Sequence, residues 1–337
     1  MKTIFVTGAA GFIGFHLCNL LLDQGHRVVG YDALTDFGGR ALKEARHARL
    51  LARDGYRGHV AQLEDMAALE GAAAAAEPDV IVHLAAQAGV RYSLENPRAY
   101  IDSNLVGTFN VMEIARAHAV DHFLMASTSS VYGAEKAMPF VETQLTDRPL
   151  TIYAATKKAA EAMTHSWAHL YGLPTTLFRF FTVYGPWGRT DMAPYLFTDA
   201  ILKGEPIKVF NHGEMYRDFT YVSDLVDGIA RLIDVPPPAP GSGAAPVDGD
   251  SLSPEAPWRV VNIGNSRSEK LTDFIDAIET ATGRAATRIY MDMQPGDVPA
   301  TWADARLLQR LTGYSPATDM RDGVARFVAW YREYHNV

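Results

Sequence analysis

Short apolar runs rich in β-branched and aromatic residues take turns with stretches of helical periodicity through the first half of the chain. The runs at 3–6, 28–31, 60–63, 80–84, 123–126 and 175–181 predict strands, and the patterns at 12–24, 99–118 and 154–171 predict helices between them. In Val80-Ile81-Val82 and Phe123-Leu124-Met125 the apolarity is continuous rather than alternating, as expected of strands covered on both faces. This alternation predicts an α/β fold built on a doubly wound parallel sheet. The alanine run at 72–76, bounded by Glu70, Glu77, Pro78 and Asp79, reads as a surface helix that stops at the proline.

After Tyr184 the texture changes. Turn-rich segments such as Tyr184-Gly185-Pro186-Trp187-Gly188 and Asn211-His212-Gly213 announce a second, smaller C-terminal α/β unit. The stretch 235–257, with Pro236-Pro237-Pro238 and Gly241-Ser242-Gly243, is expected to be a flexible excursion, with regular structure resuming at 258–263 and helices near 271–282 and 321–334. At roughly 150 residues per domain, 337 residues suit about two domains.

Directly after the first strand stands Thr7-Gly8-Ala9-Ala10-Gly11-Phe12-Ile13-Gly14, a G-x-x-G-x-x-G pattern that opens a helix. Glycines let the turn form and the backbone approach a pyrophosphate, while the helix N-terminus offers free N–H groups. Asp32 follows 18 residues after Gly14, at the end of the second strand, placed to accept hydrogen bonds from an adenosine ribose. The combination predicts a Rossmann-type NAD site, since a 2′-phosphate would meet the carboxylate. A bare strand–helix turn and a flavin site remain alternatives on these residues alone.

Composition narrows the partners. With 31 Lys+Arg against 39 Asp+Glu, a formal charge of −8, there is no general basic footprint, so neither nucleic acid nor an anionic membrane is expected. No apolar run approaches the roughly 18–20 residues of a membrane span, and the first residues read as a strand rather than a leader, so a cytoplasmic location is expected. The single cysteine, Cys18, lies in an apolar helix and reads as a buried structural thiol. His165 and His169 have helical spacing but lack the companion glutamate of a zinc motif, and no metal is expected. His83, ending a strand, reads as a hydrogen-bonded core residue, and the tryptophans as core.

Tyr153 and Lys157, four residues apart on a helix, share one face. Lys157 can stabilise a Tyr153 phenolate, giving a general acid–base pair for a hydroxyl or carbonyl. The YxxxK spacing is weak alone and gains its meaning from the glycine motif ahead of it. At the end of the fifth predicted strand, Ser127-Thr128-Ser129-Ser130 offers a row of hydroxyls where such a sheet presents ligands. Any of Ser127, Thr128 and Ser129 is close enough in sequence to touch the reacting oxygen.

The order and spacing of these motifs resemble the extended short-chain dehydrogenase/reductase family. Over essentially the whole chain the resemblance narrows to its UDP-glucuronate 4-epimerase branch, through His83-Leu84-Ala85-Ala86-Gln87-Ala88-Gly89-Val90-Arg91, the segment from Phe180 to Arg189 and the segment from Asn211 to Tyr221. It implies Thr128, 25 residues before Tyr153, as the third catalytic group. Around the cofactor it implies Gly8, Gly11, Phe12, Ile13, Gly14, Asp32, Gln62, Leu63, Leu84, Ala85, Ala86, Asn104 and Val183, together with Tyr153 and Lys157. For the substrate it implies Arg217 and Asp297 at the diphosphate and uridine ribose and Val209 beside the uracil. Ser129, Ser130, Thr182 and Arg189 would hold a C6 carboxylate, and Gln87 and Arg91 would line the sugar. Residues 1–181 with about 221–257 would then form the NAD domain, and about 182–220 with 258–337 the UDP-sugar domain. A homodimer through the helices containing Asn104 and Tyr153 is the family expectation.

Neighbouring activities all begin by oxidising a sugar at C4. Related dehydratases carry an Asp-Glu pair after the catalytic hydroxyl, and related decarboxylases a glutamate, where this chain has Ser129-Ser130. The expected reaction is 4-epimerisation of UDP-glucuronate, with a UDP-hexose or UDP-N-acetylhexosamine 4-epimerase, or a decarboxylase, as enzymic alternatives, and a non-catalytic NAD sensor as the alternative of a different class. Two departures from the family stand out. Ala33 to Gly39 replaces an aromatic-rich loop, and Gln62 replaces an aspartate near the adenine.

Overall fold

The computed structural model describes residues 1–245, 247–294 and 296–337. The first half runs β1 (Thr3–Thr7), α1 (Phe12–Asp23), β2 (Arg27–Asp32), α2 (Arg40–Leu51), β3 (Tyr56–Val60), α3 (Met66–Ala76), β4 (Val80–His83), α4 (Tyr92–Glu95) and α5 (Pro97–Ile101). A wider π turn (Asp102–Gly107) leads into α6 (Thr108–Ala117), followed by β5 (His122–Thr128) and, after a short 3₁₀ turn, α7 (Ile152–Tyr171). Then come β6 (Thr175–Phe180), β7 (Thr182–Tyr184), α8 (Ala193–Lys203), β8 (Ile207–Phe210), β9 (Tyr216–Arg217), β10 (Phe219–Tyr221) and α9 (Val222–Leu232). The chain closes with β11 (Trp258–Ile263), β12 (Glu269–Lys270), α10 (Leu271–Thr282), β13 (Arg288–Met291), β14 (Ala300–Thr301), α11 (Arg306–Thr312) and α12 (Met320–His335).

Seven strands form one parallel sheet in the order β11-β6-β5-β4-β1-β2-β3. β1 and β5 are buried at every position, which is why their apolarity is unbroken. Leu17, Cys18 and Leu21 of α1 pack with Val226 and Ile229 of α9 and Leu308 of α11 on one face. Leu69, Val111, Met112 and Ala160 from α3, α6 and α7 cover the other. The direction of winding reverses between β1 and β4, and in such sheets the carboxyl ends of the strands at the reversal leave a crevice. A third core of Phe197, Val209, Phe219, Phe274, Phe327 and Tyr331 holds the C-terminal lobe together. Burial pushes the Cys18 thiol up, consistent with an inert packing role.

Several local expectations are corrected. The third strand is Tyr56–Val60 rather than 60–63: Tyr56 is buried beside Gly30 of β2, and from position 61 the chain turns away and brings Gln62 and Leu63 over the crevice. The helix expected over 99–118 is two helices joined by the π turn, starting at Pro97 with Asn96 as its cap. α2 and α8 were not anticipated. The described part of 235–257 lacks regular structure but is fastened: Arg259 and Asp250 form a buried ion pair at 3.0 Å, and Ser251 accepts from the Val260 N–H at 3.0 Å. His165 and His169 bond the same segment through Ser253 and the Glu255 carbonyl, at 2.9 and 2.8 Å. β11, grouped in the sequence with the second unit, is hydrogen-bonded to β6 at the edge of the main sheet.

Candidate active site

The crevice holds a cavity of about 300 Å³ lined from the ends of β1, β2, β4, β5 and β6 and from the start of α7. Gly8 adopts φ +73°, and a Cβ there would lie 2.7 Å from the Ala85 nitrogen, so only glycine lets the turn press against the loop after β4. α1 begins at Gly11 with no side chain capping it, and Phe12, Ile13 and Gly14 of its first turn line the cavity. This is a cradle with unpaired N–H groups and a favourable helix end, fitted to a pyrophosphate.

Asp32 accepts from the Ala10 and Leu34 N–H groups, at 3.0 and 2.9 Å. A carboxylate has about four acceptor positions, so two remain for ribose hydroxyls. Gln62, Leu63, Leu84, Ala85, Ala86, Gln87 and Val183 complete the wall. The residues needed for a dinucleotide thus converge on one cavity. The sequence did not reveal Lys43 and Arg46, which line the same end from α2. Arg46 is buried, donates to the Ala10 carbonyl at 3.0 Å and reaches the Trp187 carbonyl, so it ties the glycine turn to the loop after β7; burial pulls its pKa down to about 10. The missing signal was a helix over 40–51, which was not anticipated from the sequence.

Tyr153, Lys157 and Thr128 meet on the opposite wall. Thr151 caps α7 by accepting from the Ala154 N–H at 3.2 Å, so both catalytic candidates lie in its first two turns. Burial raises the Tyr153 pKa, and the Thr128 hydroxyl and the Arg189 charge draw it partly back. Burial likewise lowers Lys157 to about 8, opposed by Glu161. Ser127 and Thr128 both border the cavity, but their hydroxyls have different partners: that of Ser127 donates to Glu161 at 2.6 Å, whereas that of Thr128 lies within hydrogen-bonding reach of Tyr153. Thr128 and Ser130 share a hydrogen bond of 3.2 Å at the head of the 3₁₀ turn that contains Ser129.

Some expected residues sit elsewhere. Asn104 is fully buried and does not line the cavity; it accepts from the Gln87 N–H at 2.8 Å and donates to the Gln87 carbonyl and Thr156. Ser129, Ser130 and Thr182 are also outside the cavity wall, while Arg189 lines it, ion-paired with Asp191 and stacked over Phe37 at 5.2 Å. A second group lies in the C-terminal lobe. Arg91 pairs with Asp297 at 3.3 Å and stacks on Phe210, the neighbour of buried Val209. Arg217 donates to the Tyr216, Val298 and Pro299 carbonyls at 2.8, 2.8 and 3.2 Å, and burial lowers its pKa.

Residues 4–241 match the NAD dependent epimerase/dehydratase family. A probable UDP-glucuronate 4-epimerase of Rhizobium meliloti is 54% identical over 326 residues, spanning 97% of this chain and 96% of that one. UDP-glucuronate 4-epimerase 4 of Arabidopsis thaliana is 42% identical over 339 residues, spanning 99% of this chain and 76% of the plant protein. Among solved structures, the UDP-glucuronic acid 4-epimerase of Bacillus cereus in complex with UDP-glucuronic acid and NAD superposes with a TM-score of 0.86 at 31% identity, covering 98% of this chain and 99% of that one.

Proposed function

The chain belongs to the NAD dependent epimerase/dehydratase family, and from that premise we propose that it interconverts UDP-glucuronate and UDP-galacturonate by inversion at C4. The observation that carries this is the meeting of Tyr153, Lys157 and Thr128 across one cavity from a helix N-terminus and Asp32. NAD, when bound, would supply a reversible hydride acceptor for C4. The uncapped turn at Gly11 to Gly14 binds its pyrophosphate and Asp32 its adenosine ribose. Tyr153 removes the proton from the C4 hydroxyl and later returns it to the C4 oxygen, Thr128 orients that oxygen, and the Lys157 ammonium favours the phenolate. Between the two transfers the 4-ketosugar turns its other face to the cofactor, so the nucleotide must be gripped firmly and the sugar loosely.

The further assignments belong to the same proposal. Arg217 and Asp297 hold the diphosphate and uridine ribose, Val209 passes the uracil, and Gln87 and Arg91 border the sugar. Ser129, Ser130, Thr182 and Arg189 restrain the C6 carboxylate, because a β-keto acid loses CO₂ when the breaking bond stands perpendicular to the carbonyl plane. The lobe built on the main sheet binds NAD, and the C-terminal lobe binds the UDP-sugar. Two copies pair through α6 and α7, a reading supported by exposed Phe109 on α6, Tyr171 on α7 and Val106 in the π turn that leads into α6. A cytoplasmic setting agrees with the single buried thiol and an NAD site. Among the described residues no helix is long and apolar enough to cross a membrane.

The test is isotopic. UDP-glucuronate deuterated at C4 should give UDP-galacturonate with the label kept at C4 and no net consumption of added NAD. In D₂O, unlabelled substrate should gain no deuterium at C5. Label at C5 would reveal enolisation, a pentose product with CO₂ would reveal decarboxylation, and turnover of UDP-glucose at an equal rate would shift the substrate to neutral hexoses.

A further inference from the structure

Directly behind the catalytic wall lies a closed electrostatic unit. The Ser127 hydroxyl donates to Glu161 Oε1 at 2.6 Å, and Arg179 clasps the same carboxylate, Nε to Oε1 at 3.0 Å and a terminal nitrogen to Oε2 at 2.9 Å. Lys158 reaches Oε2 at 3.3 Å. The Glu161 and Arg179 side chains are only 1% and 3% exposed, so the pair is fully inside the protein. An ion pair there is a poor source of stability, because desolvating both charges cancels most of their attraction. Its bonds instead run toward the site. Ser127 is the residue before Thr128 at the end of β5, and Glu161 stands one helical turn beyond Lys157 on α7.

We propose that Glu161 is a positioning residue of the epimerase site: through Ser127 it fixes the strand end that presents Thr128 to Tyr153, and across one turn of α7 its carboxylate keeps the Lys157 ammonium charged. The proposal rests on the catalytic reading of Tyr153, Lys157 and Thr128. The ionisable groups acting on Lys157 are Glu161 from its own helix and His83 from β4, with Tyr153 on the same cavity wall, while Arg179 from β6 and Lys158 face Glu161. His83 is held neutral by burial, its pKa near 3, with the Thr7 and Thr108 hydroxyls at 2.7 and 3.0 Å, and does not titrate near neutrality. Burial alone would raise Glu161, but the Arg179 guanidinium overrides it and holds the carboxyl below its usual range. Glu161 therefore remains an anion across the working range of pH. It opposes the burial that drives Lys157 down to about 8.

The experiment is the pH profile of kcat/KM for UDP-glucuronate, measured on protein whose NAD content and melting temperature are recorded first. Glu161→Gln should move the alkaline limb down by about one pH unit or more, because Lys157 loses its proton earlier. Ser127→Ala leaves the carboxylate in place, so its limb should stay while kcat falls by about tenfold through misplacement of Thr128. If Glu161→Gln does not fold, the double variant Glu161→Gln/Arg179→Met removes both buried charges and should still lower the limb, by less than the single variant because the more distant guanidinium charge is lost as well. A folded, NAD-loaded Glu161 variant with the wild-type limb overturns the charge role, and Ser127→Ala with wild-type kcat overturns the hydroxyl role. Tyr153→Phe in the same assay separates the two levels. It should lose at least about 10²-fold, and retained activity there would sink the catalytic reading itself.

Discussion

At Gly14 a single methyl group would sit 2.0 Å from the Gly8 carbonyl oxygen, which no rotamer can relieve because both partners are backbone. Gly14→Ala is therefore expected to force the glycine turn away from α1, so that the purified protein carries little NAD and melts at a lower temperature. Full NAD content by absorbance after denaturation would contradict this. Such residues were legible from sequence because their roles are local: glycines in a turn, an acid at a strand end, a tyrosine and lysine one helical turn apart. Ser127 and Thr128 were not separable, because adjacent strand residues point to opposite sides and only the position of α7 shows which hydroxyl meets Glu161 and which meets Tyr153.

At the scale of elements, the π turn at Asp102–Gly107 interrupts a helix whose sequence reads as continuous. The extra residue in the turn accompanies Asn104, whose amide satisfies both backbone groups of Gln87 and meets Thr156 at 3.1 Å. Asn104→Ala would leave these groups unpaired, two of them on the loop after β4 that lines the cavity. A loss of about 1–3 kcal/mol of stability is expected by denaturant titration, together with weaker NAD retention. Unchanged stability would mean that water replaces the amide. The strand misplacement at 56–63 has a similar origin. Leu63 is apolar and 5% exposed, as a strand residue would be, but it lies beyond the end of β3, in the core cluster under the sheet and against Gly107.

Across the whole molecule, groups far apart in sequence set properties that no segment carries. Glu142 is buried and receives the Asn262 N–H at 2.8 Å, and burial raises its pKa to about 7. A carboxyl raised in the folded state contributes stability below its unfolded pKa and loses it as pH climbs through the folded value. Between about pH 4.5 and 7 the protein should therefore lose up to about 3 kcal/mol from this group. Glu142→Gln, which keeps an acceptor without the charge, should melt higher than wild type at pH 8 and nearly level with it at pH 5. An equal difference at both pH values would remove the carboxyl as the cause. The proposed pairing of two copies would also be a property of the assembled surface, where Phe109 stands 41% exposed on α6. Phe109→Asp should shift the sedimenting species from dimer to monomer, and an unchanged dimer would place the contact elsewhere.

The sequence by itself determined the doubly wound parallel sheet, apart from the bounds of β3 and the place of the edge strand β11, and the glycine turn with Asp32, because these follow from periodicity and from motifs within a few residues of one another. The candidate acid–base group was readable too, since Tyr153, Lys157 and the hydroxyls at 127–130 belong to two short segments. Tertiary structure alone decided that the Thr128 hydroxyl lies by Tyr153 while that of Ser127 bonds Glu161, that Arg46 fastens the glycine turn to the loop at 187, and that Glu161 and Arg179 form a buried pair beside β5. It also decided that Arg91 finds Asp297, more than half the chain away. Those outcomes depend on burial and on distances between elements, and a buried arginine or glutamate has the same one-dimensional signature as a solvated one until its partner is folded against it.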